Sequence, residues 1–236
     1  MKETLKIGAN LAARICVAPA ILLYRLETAF VAGERIFPGW SQALALLPGV
    51  TGVYLRRAFF RGILPQCGRD AWISFGTIFS HSTVCVGSGV YIGSYCVIGD
   101  ADIQDDAMIA SHVSVINGGR QHGPGQSSVA LRERLGTFPR VSIGRNAWIG
   151  ERAVVMTDVG DNGVVGAGAV VTKPVPPFTV VVGVPARVLQ RGCASTVESP
   201  ESAAFEAARG AMPHGWNGGR DDHAPESHSG LPPQTA

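Results

Sequence analysis

Three histidines precede residue 192: His81 in FSHSTV, His112 in IASHVS and His122 in INGGRQHGPG. An imidazole changes protonation near neutral pH, so any of them could take the proton from an attacking hydroxyl. Three histidines could also hold a zinc ion, provided they converge. His122 is followed by Gly123, Pro124 and Gly125 and preceded by Gly118 and Gly119. That composition excludes a regular element, so His122 is a loop histidine, either a base or a solvated side chain. His112 is the rival base. It also reads as a histidine on a strand face, hydrogen-bonded to a neighbour. His81 reads as structural.

The elements that must position these residues are set by a repeat. In VSIGRNAWIGERAVVMTDVGDNGVVGAGAVV, Ile143, Ile149 and Val155 are six apart, and Val159, Val165 and Val171 resume the step after a shortened interval. Upstream, Val86, Ile92 and Ile98 keep the same spacing, each followed by glycine, and Ile103, Ile109 and Val115 continue it. A helix repeats near 3.6 residues and a flat strand at 2, so neither alone gives six. Short strands joined by regular turns do, in a coil whose inward aliphatic side chains stack on their copies one coil later. The prediction is a mainly β protein, a parallel β-helix of three-sided coils with rungs from roughly 70 to 182. Between Val115 and Val141 the rhythm stops. The segment 117–140, which holds His122, is predicted to be thrown outward as a loop, where repeat scaffolds tend to carry function.

Charge divides the chain in three. Residues 1–66 hold eight Lys/Arg against three Asp/Glu, 67–191 hold ten against nine, and 192–236 hold two against six. The net charge of +2 gives no reason to expect a nucleic-acid partner. The five cysteines, at 16, 67, 85, 96 and 193, form no CxxC pair and fit reduced thiols in a cytosolic protein. No small-residue cleavage site cleanly follows the first apolar stretch, so no signal peptide is expected. The expected organisation is a helical, basic and apolar segment over 1–66, the β-helix over 67–191 and a disordered tail over 192–236, rich in Ser, Pro, Gly, Ala and acid. In the head, the longest uncharged run of residues 11–31 is Ile15 to Tyr24, short against the roughly 20 residues of a span. Residues 36–55 are uncharged but broken by Pro38, Gly39, Pro48, Gly49 and Gly52, which predicts short helices and turns. LRRAFFRGIL follows. Two readings of the head are open: a peripheral contact of residues 11–64 with an anionic membrane, arginines on headgroups, or helices packed on the rest of the protein with arginines in solvent.

The repeat, together with GAGAVVTKPVPPFTVVVGVPARVL at 166–189, resembles the hexapeptide-repeat acyltransferases, in particular those that O-acetylate sugars and polysaccharides. The resemblance covers about half the chain and is most specific in Trp148-Ile-Gly, Gly166-Ala-Gly168, Val171-Thr-Lys173 and Gly183-Val-Pro-Ala-Arg187. It implies a left-handed parallel β-helix, a homotrimer with active sites between subunits, acetyl-CoA as acyl donor, no metal, and a sugar, polysaccharide or glycolipid precursor as acceptor. The enzyme would then be cytoplasmic, or at the inner face of the membrane. The resemblance implies that His122 is the general base, with Asn117 and Arg120 on the acceptor side. It also implies that Trp148, Gly150, Ala167, Gly168, Thr172, Lys173 and Arg187 meet coenzyme A, the two cations on phosphates. The alternatives within the fold are an N-acetyltransferase, a serine acetyltransferase, a γ-class carbonic anhydrase on His81, His112 and His122, and a non-catalytic solenoid.

Overall fold

The computed structural model describes residues 2–31, 34–119, 130, 133 and 136–192. The first coil carries β1 (Gln66–Cys67), β2 (Trp72–Ile73) and β3 (Ile78–Phe79). The second carries β4 (Cys85–Val86), β5 (Tyr91–Ile92) and β6 (Val97–Ile98), and the third β7 (Ala101–Ile103), β8 (Met108–Ile109) and β9 (Ser114–Val115). The fourth carries β10 (Val141–Ile143), β11 (Trp148–Ile149) and β12 (Val154–Val155). The fifth has a single bridge at Val159, then β13 (Val164–Val165) and β14 (Val170–Val171). A sixth begins with a bridge at Val175 and continues with β15 (Thr179–Val182), and β16 (Arg187–Arg191) turns back antiparallel upon β15. All other pairings are parallel, in three sheets: face A from β1, β4, β7 and β10; face B from β2, β5, β8, β11, β13, β15 and β16; face C from β3, β6, β9, β12 and β14.

The six-residue period is thus one side of a three-sided prism, with one inward aliphatic residue per face. Ile73, Ile92, Ile109, Ile149, Val165 and Val181 stack down face B, all buried. Their outward neighbours Trp72, Tyr91, Met108, Trp148, Val164 and Val180 pair in register at separations of 19, 17, 40, 16 and 16 residues. The one long interval locates the insertion between β9 and β10, at the corner from face C to face A. The glycine that follows many of these aliphatic residues has a steric cause. A Cβ on Gly150 would stand 2.5 Å from the Ala167 nitrogen of the next coil. Only hydrogen fits where the chain turns against its own next coil.

The corner from face B to face C is turned by residues with side chains as well as by glycine. Tyr95, His112 and Arg152 occupy the left-handed region there, with φ of 58°, 59° and 58°, in column with Gly168 at 67°. Each of the four donates its N–H to a carbonyl one coil back: Phe75, Ser94, Ser111 and Glu151. That ladder bond offsets the cost of a side chain at positive φ.

The head is helical: α1 (Lys2–Phe30), α2 (Ile36–Ala45) and α3 (Gly49–Ile63). Residues 36–55 do break into helix, turn and helix at Pro48–Gly49. By contrast α1 runs 29 residues, and Lys6–Phe30 is long and apolar enough to cross a membrane by length and composition. The three helices close the open end of the prism. Phe60 meets Phe79 edge to face at 4.8 Å between centroids, and the Phe59 ring stacks on Trp40 at 5.5 Å. Polar groups on this first coil face no earlier coil, and an uncovered edge would recruit another strand. The head supplies partners. Arg56 Nε donates to the Ile73 carbonyl (3.0 Å), Arg57 Nη1 to that of Ala71 (3.2 Å), and Ser41 Oγ accepts the Phe79 N–H (2.8 Å). Both sequence readings of these arginines, headgroup contact and solvation, are therefore wrong for Arg56 and Arg57. Both are buried at the junction, and burial depresses both pKa values, that of Arg56 to about 10.

Candidate active site

The inserted loop leaves the prism at Asn117 and returns at Pro139. Asn117 is buried, with its side chain spent on main chain. Oδ1 accepts the Asp100 N–H (2.9 Å), and Nδ2 donates to the carbonyls of Asp100 (2.7 Å) and Pro139 (2.9 Å). One carboxamide thus ties both stems of the loop to the preceding coil. Arg140 adds to the clasp, donating to the carbonyls of Thr83 (2.9 Å) and Ala101 (3.3 Å). Gly118 takes φ of 78°, which turns the chain out of the coil. Asn117→Ala should cost about 2–3 kcal/mol, because it strands one buried donor and two acceptors. Asn117→Asp should be no better, since a carboxylate cannot donate to either carbonyl. Thermal unfolding of the two variants measures this. An acceptor-binding role for Asn117 would have to coexist with this clasp. His122 and Arg120 lie outside the described residues.

The rival histidines are described, and they stand apart. His112 is exposed on the B–C corner of the third coil and stacks on Tyr95, centroids 5.3 Å apart and planes at 15°. Phe75 meets the far side of this column at 5.5 Å from Tyr95. His81 follows face C in the first coil, and its Nδ1 lies 2.5 Å from Glu34 Oε2 beside α2. Within the chain, His81 and His112 occupy different corners of different coils. Among the described residues no three His, Cys, Asp or Glu side chains gather as a metal site. The described cysteines are all free. Burial pushes the Cys67 thiol up to about 12 and Cys96 up to about 11, so neither is a thiolate at neutral pH.

The residues expected at the donor fall on two corners and one face. Gly150, Ala167 and Gly168 lie on the B–C corner of the fourth and fifth coils. Ala167 and Gly168 are exposed, and a Cβ on Gly168 would meet nothing within 4 Å, so an extended chain could approach the backbone here. Thr172 and Lys173 lie on the C–A corner, both exposed, at the far side of the short strand β14. Trp148 points outward from face B, and Arg187 opens β16 at the end of that face. One chain therefore does not gather all seven on one wall. The sequence missed what pins the loop: Asp100 and Arg140 are unremarkable in the sequence, and only the coil-to-coil register brings them to Asn117.

The outward residues of the three faces differ in kind. Face A shows Gln66, Cys85, Asp102 and Ser142. Face B shows Trp72, Tyr91, Met108, Trp148, Val164 and Val180, and face C shows Ile78, Val97, Ser114, Val154 and Val170. A prism in water needs one polar coat, and two faces here are apolar.

A family model of the hexapeptide repeat of succinyl-transferase matches residues 140–173, the fourth and fifth coils. Galactoside O-acetyltransferase of Escherichia coli (strain K12) is 33% identical over 141 residues, which cover 57% of this chain and 68% of that protein. The crystal structure of a maltose O-acetyltransferase from Clostridium difficile 630 superposes with a TM-score of 0.58 at 25% identity, over 67% of this chain and 86% of that one. A galactoside acetyltransferase solved in complex with coenzyme A gives a TM-score of 0.53 at 26% identity, over 70% and 88%. The chain belongs to the hexapeptide-repeat acyltransferases, with their left-handed parallel β-helix, and is an enzyme of the acetyltransferase class.

Proposed function

We propose that the protein moves the acetyl group of acetyl-CoA to a hydroxyl of a sugar, in a saccharide, polysaccharide or glycolipid precursor. The observation that carries this is the likeness, over 70% of the chain, to a galactoside acetyltransferase solved with coenzyme A, together with the open Gly166-Ala167-Gly168 corner. His122 takes the proton of the acceptor hydroxyl as its oxygen attacks the thioester carbonyl. The C–S bond then breaks, coenzyme A leaves as the thiolate, and the proton passes on to it. A thiolate leaves readily, so the acyl group need not visit the enzyme. Arg120 orients the acceptor beside the Asn117 clasp.

The active unit in this reading is a homotrimer. Three prisms packed through faces B and C bury the apolar coats and leave the polar face A in water. The groove between two prisms then joins the glycine corner and Lys173 of one chain to Trp148 and Arg187 of the next. Pantetheine amides pair with the corner backbone, and Lys173 and Arg187 meet phosphates. The free cysteines among the described residues fit a reducing compartment, which supports the reading of a cytoplasmic enzyme.

The test is the thermal unfolding midpoint of the full chain with millimolar acetyl-CoA. A ligand at about 100 times its dissociation constant that binds only the folded state adds roughly 2.7 kcal/mol. The midpoint should rise, and the rise should shrink in Lys173→Ala. No rise with acetyl-CoA or with free coenzyme A would refute the donor assignment. Galactosides and maltose are the first acceptors to assay.

A further inference from the structure

The helix α1 is apolar on two opposite sides, and the fold uses only one. Ala13, Val17, Ile21 and Tyr24 pack toward α3 and the rest of the head. At 100° per residue, Leu11, Ile15, Leu22 and Leu26 lie within an arc of about 60° on the far side. Ile7 and Phe30 extend the same stripe at its two ends. All six are exposed, Ile15 at 66% and Phe30 at 88%. A stripe from residue 7 to residue 30 is about 35 Å long. Scattered surface leucines need no account, but a continuous stripe of this length does.

What lies along its edge identifies the occupant. Arg14 and Arg25 run along one side of the stripe. With Arg61 of α3 they line a cleft of about 350 Å³ between the two helices, floored by Ala18, Ile21 and Ala58. Among the described residues no carboxylate pairs with any of the three: the ion pairs are His81–Glu34, Arg140–Asp100, Arg145–Asp161 and Arg152–Glu151. Nearby Glu27 is taken by the Trp40 indole N–H at 2.6 Å. Three cations without counter-charges beside an apolar stripe match the boundary of an anionic bilayer: acyl chains under the leucines, phosphates at the arginines. A second protein surface would have to offer both an apolar trough and paired acids at its rim.

We infer that α1 lies in the plane of an anionic membrane surface, with its leucine stripe in the acyl boundary and lipid phosphates held between Arg14, Arg25 and Arg61. The helix does not cross the bilayer. A crossing would strip Ala13, Val17 and Tyr24 from the head and sink Arg14 and Arg25 into hydrocarbon. The inference is independent of the acetyl-transfer reading, because it concerns the head alone. If both hold, the acceptor is presented at a membrane.

The experiment is sedimentation of the full chain with vesicles of phosphatidylcholine alone, or mixed with phosphatidylglycerol, without acetyl-CoA. The intact protein should sediment with the mixed vesicles, remain soluble with the neutral ones, and be released by alkaline carbonate. The triple variant Arg14→Ser, Arg25→Ser, Arg61→Ser should partition ~100-fold more weakly, at about fivefold per arginine. Leu11→Ser, Leu22→Ser, Leu26→Ser should abolish binding with an unchanged unfolding midpoint and an unchanged acetyl-CoA response. No sedimentation, equal binding to neutral vesicles, or resistance to carbonate would each overturn the inference. So would leucine variants that change the sedimenting mass of the free protein, which would assign the stripe to a second copy of the chain.

Discussion

His122→Ala is expected to lower kcat by about 10²–10⁴, the usual worth of a positioned general base. The acetyl-CoA-induced rise in the unfolding midpoint should be unchanged, because the residues proposed for the donor sit on the coils and not on the loop. A protonated imidazole cannot accept the hydroxyl proton, so wild-type kcat/KM should fall on the acid side, and that limb should vanish in the variant. His112→Ala is the comparison. His112 is exposed and, among the described residues, stacks on the Tyr95 ring, so its loss should leave turnover within a few-fold. Steady-state kinetics of the two variants across pH separates them. A collapse in His112→Ala with His122→Ala near wild type would exchange their roles.

The repeat was legible because the prism interior imposes one rule on every coil. An aliphatic residue is needed at each of three inward positions, and a glycine often follows it where the next coil comes close. Ile149 and Gly150 are two residues under one steric condition. The loop was legible by the failure of that rule between Val115 and Val141. What the sequence hid depends on which backbone groups lack partners. Asn117 looks like any polar loop residue until the coil register brings the carbonyls of Asp100 and Pro139 to its amide. Tyr95, His112 and Arg152 at positive φ break the local preference for glycine, because a coil-to-coil hydrogen bond holds each of them. The arginines of LRRAFFRGIL read as surface charges because arginine is rarely buried. Their environment is set by an end of a solenoid, a place no local pattern marks.

Arg56→Ala is the substitution expected to cost most stability, about 3–5 kcal/mol, from carbonyls left without a donor and the cavity left behind. Arg56 is fully buried. Its Nε donates to Ile73 in the first coil, and its Nη1 to Leu44 (3.1 Å) and Leu47 (2.5 Å) at the end of α2. One guanidinium thus joins the prism edge to the loop between α2 and α3. Two effects oppose each other. Burial of the cation is a cost, visible in a pKa pushed down to about 10, and Nη2 is buried without a partner among the described residues. Against that, two buried carbonyls and one part-buried carbonyl have this donor, and removing it strands them. The alanine variant keeps the stranded carbonyls and adds a cavity, so its midpoint should drop by about 10 °C, at 2–4 °C per kcal/mol for a chain of this size. Arg56→Met fills the volume and removes the buried charge while leaving the carbonyls unpaired, so it should fall between wild type and alanine. Alkaline titration checks the charge term. Between the folded pKa near 10 and the unfolded value of 12.5, the unfolded chain holds more protons at Arg56 than the folded one, so wild type should gain stability relative to Arg56→Met as pH rises through that window. A methionine variant as stable as wild type at neutral pH would mean that the carbonyl bonds only offset the desolvation of the cation. The head would then be held on the prism by its aromatic contacts, Phe60 on Phe79 first among them.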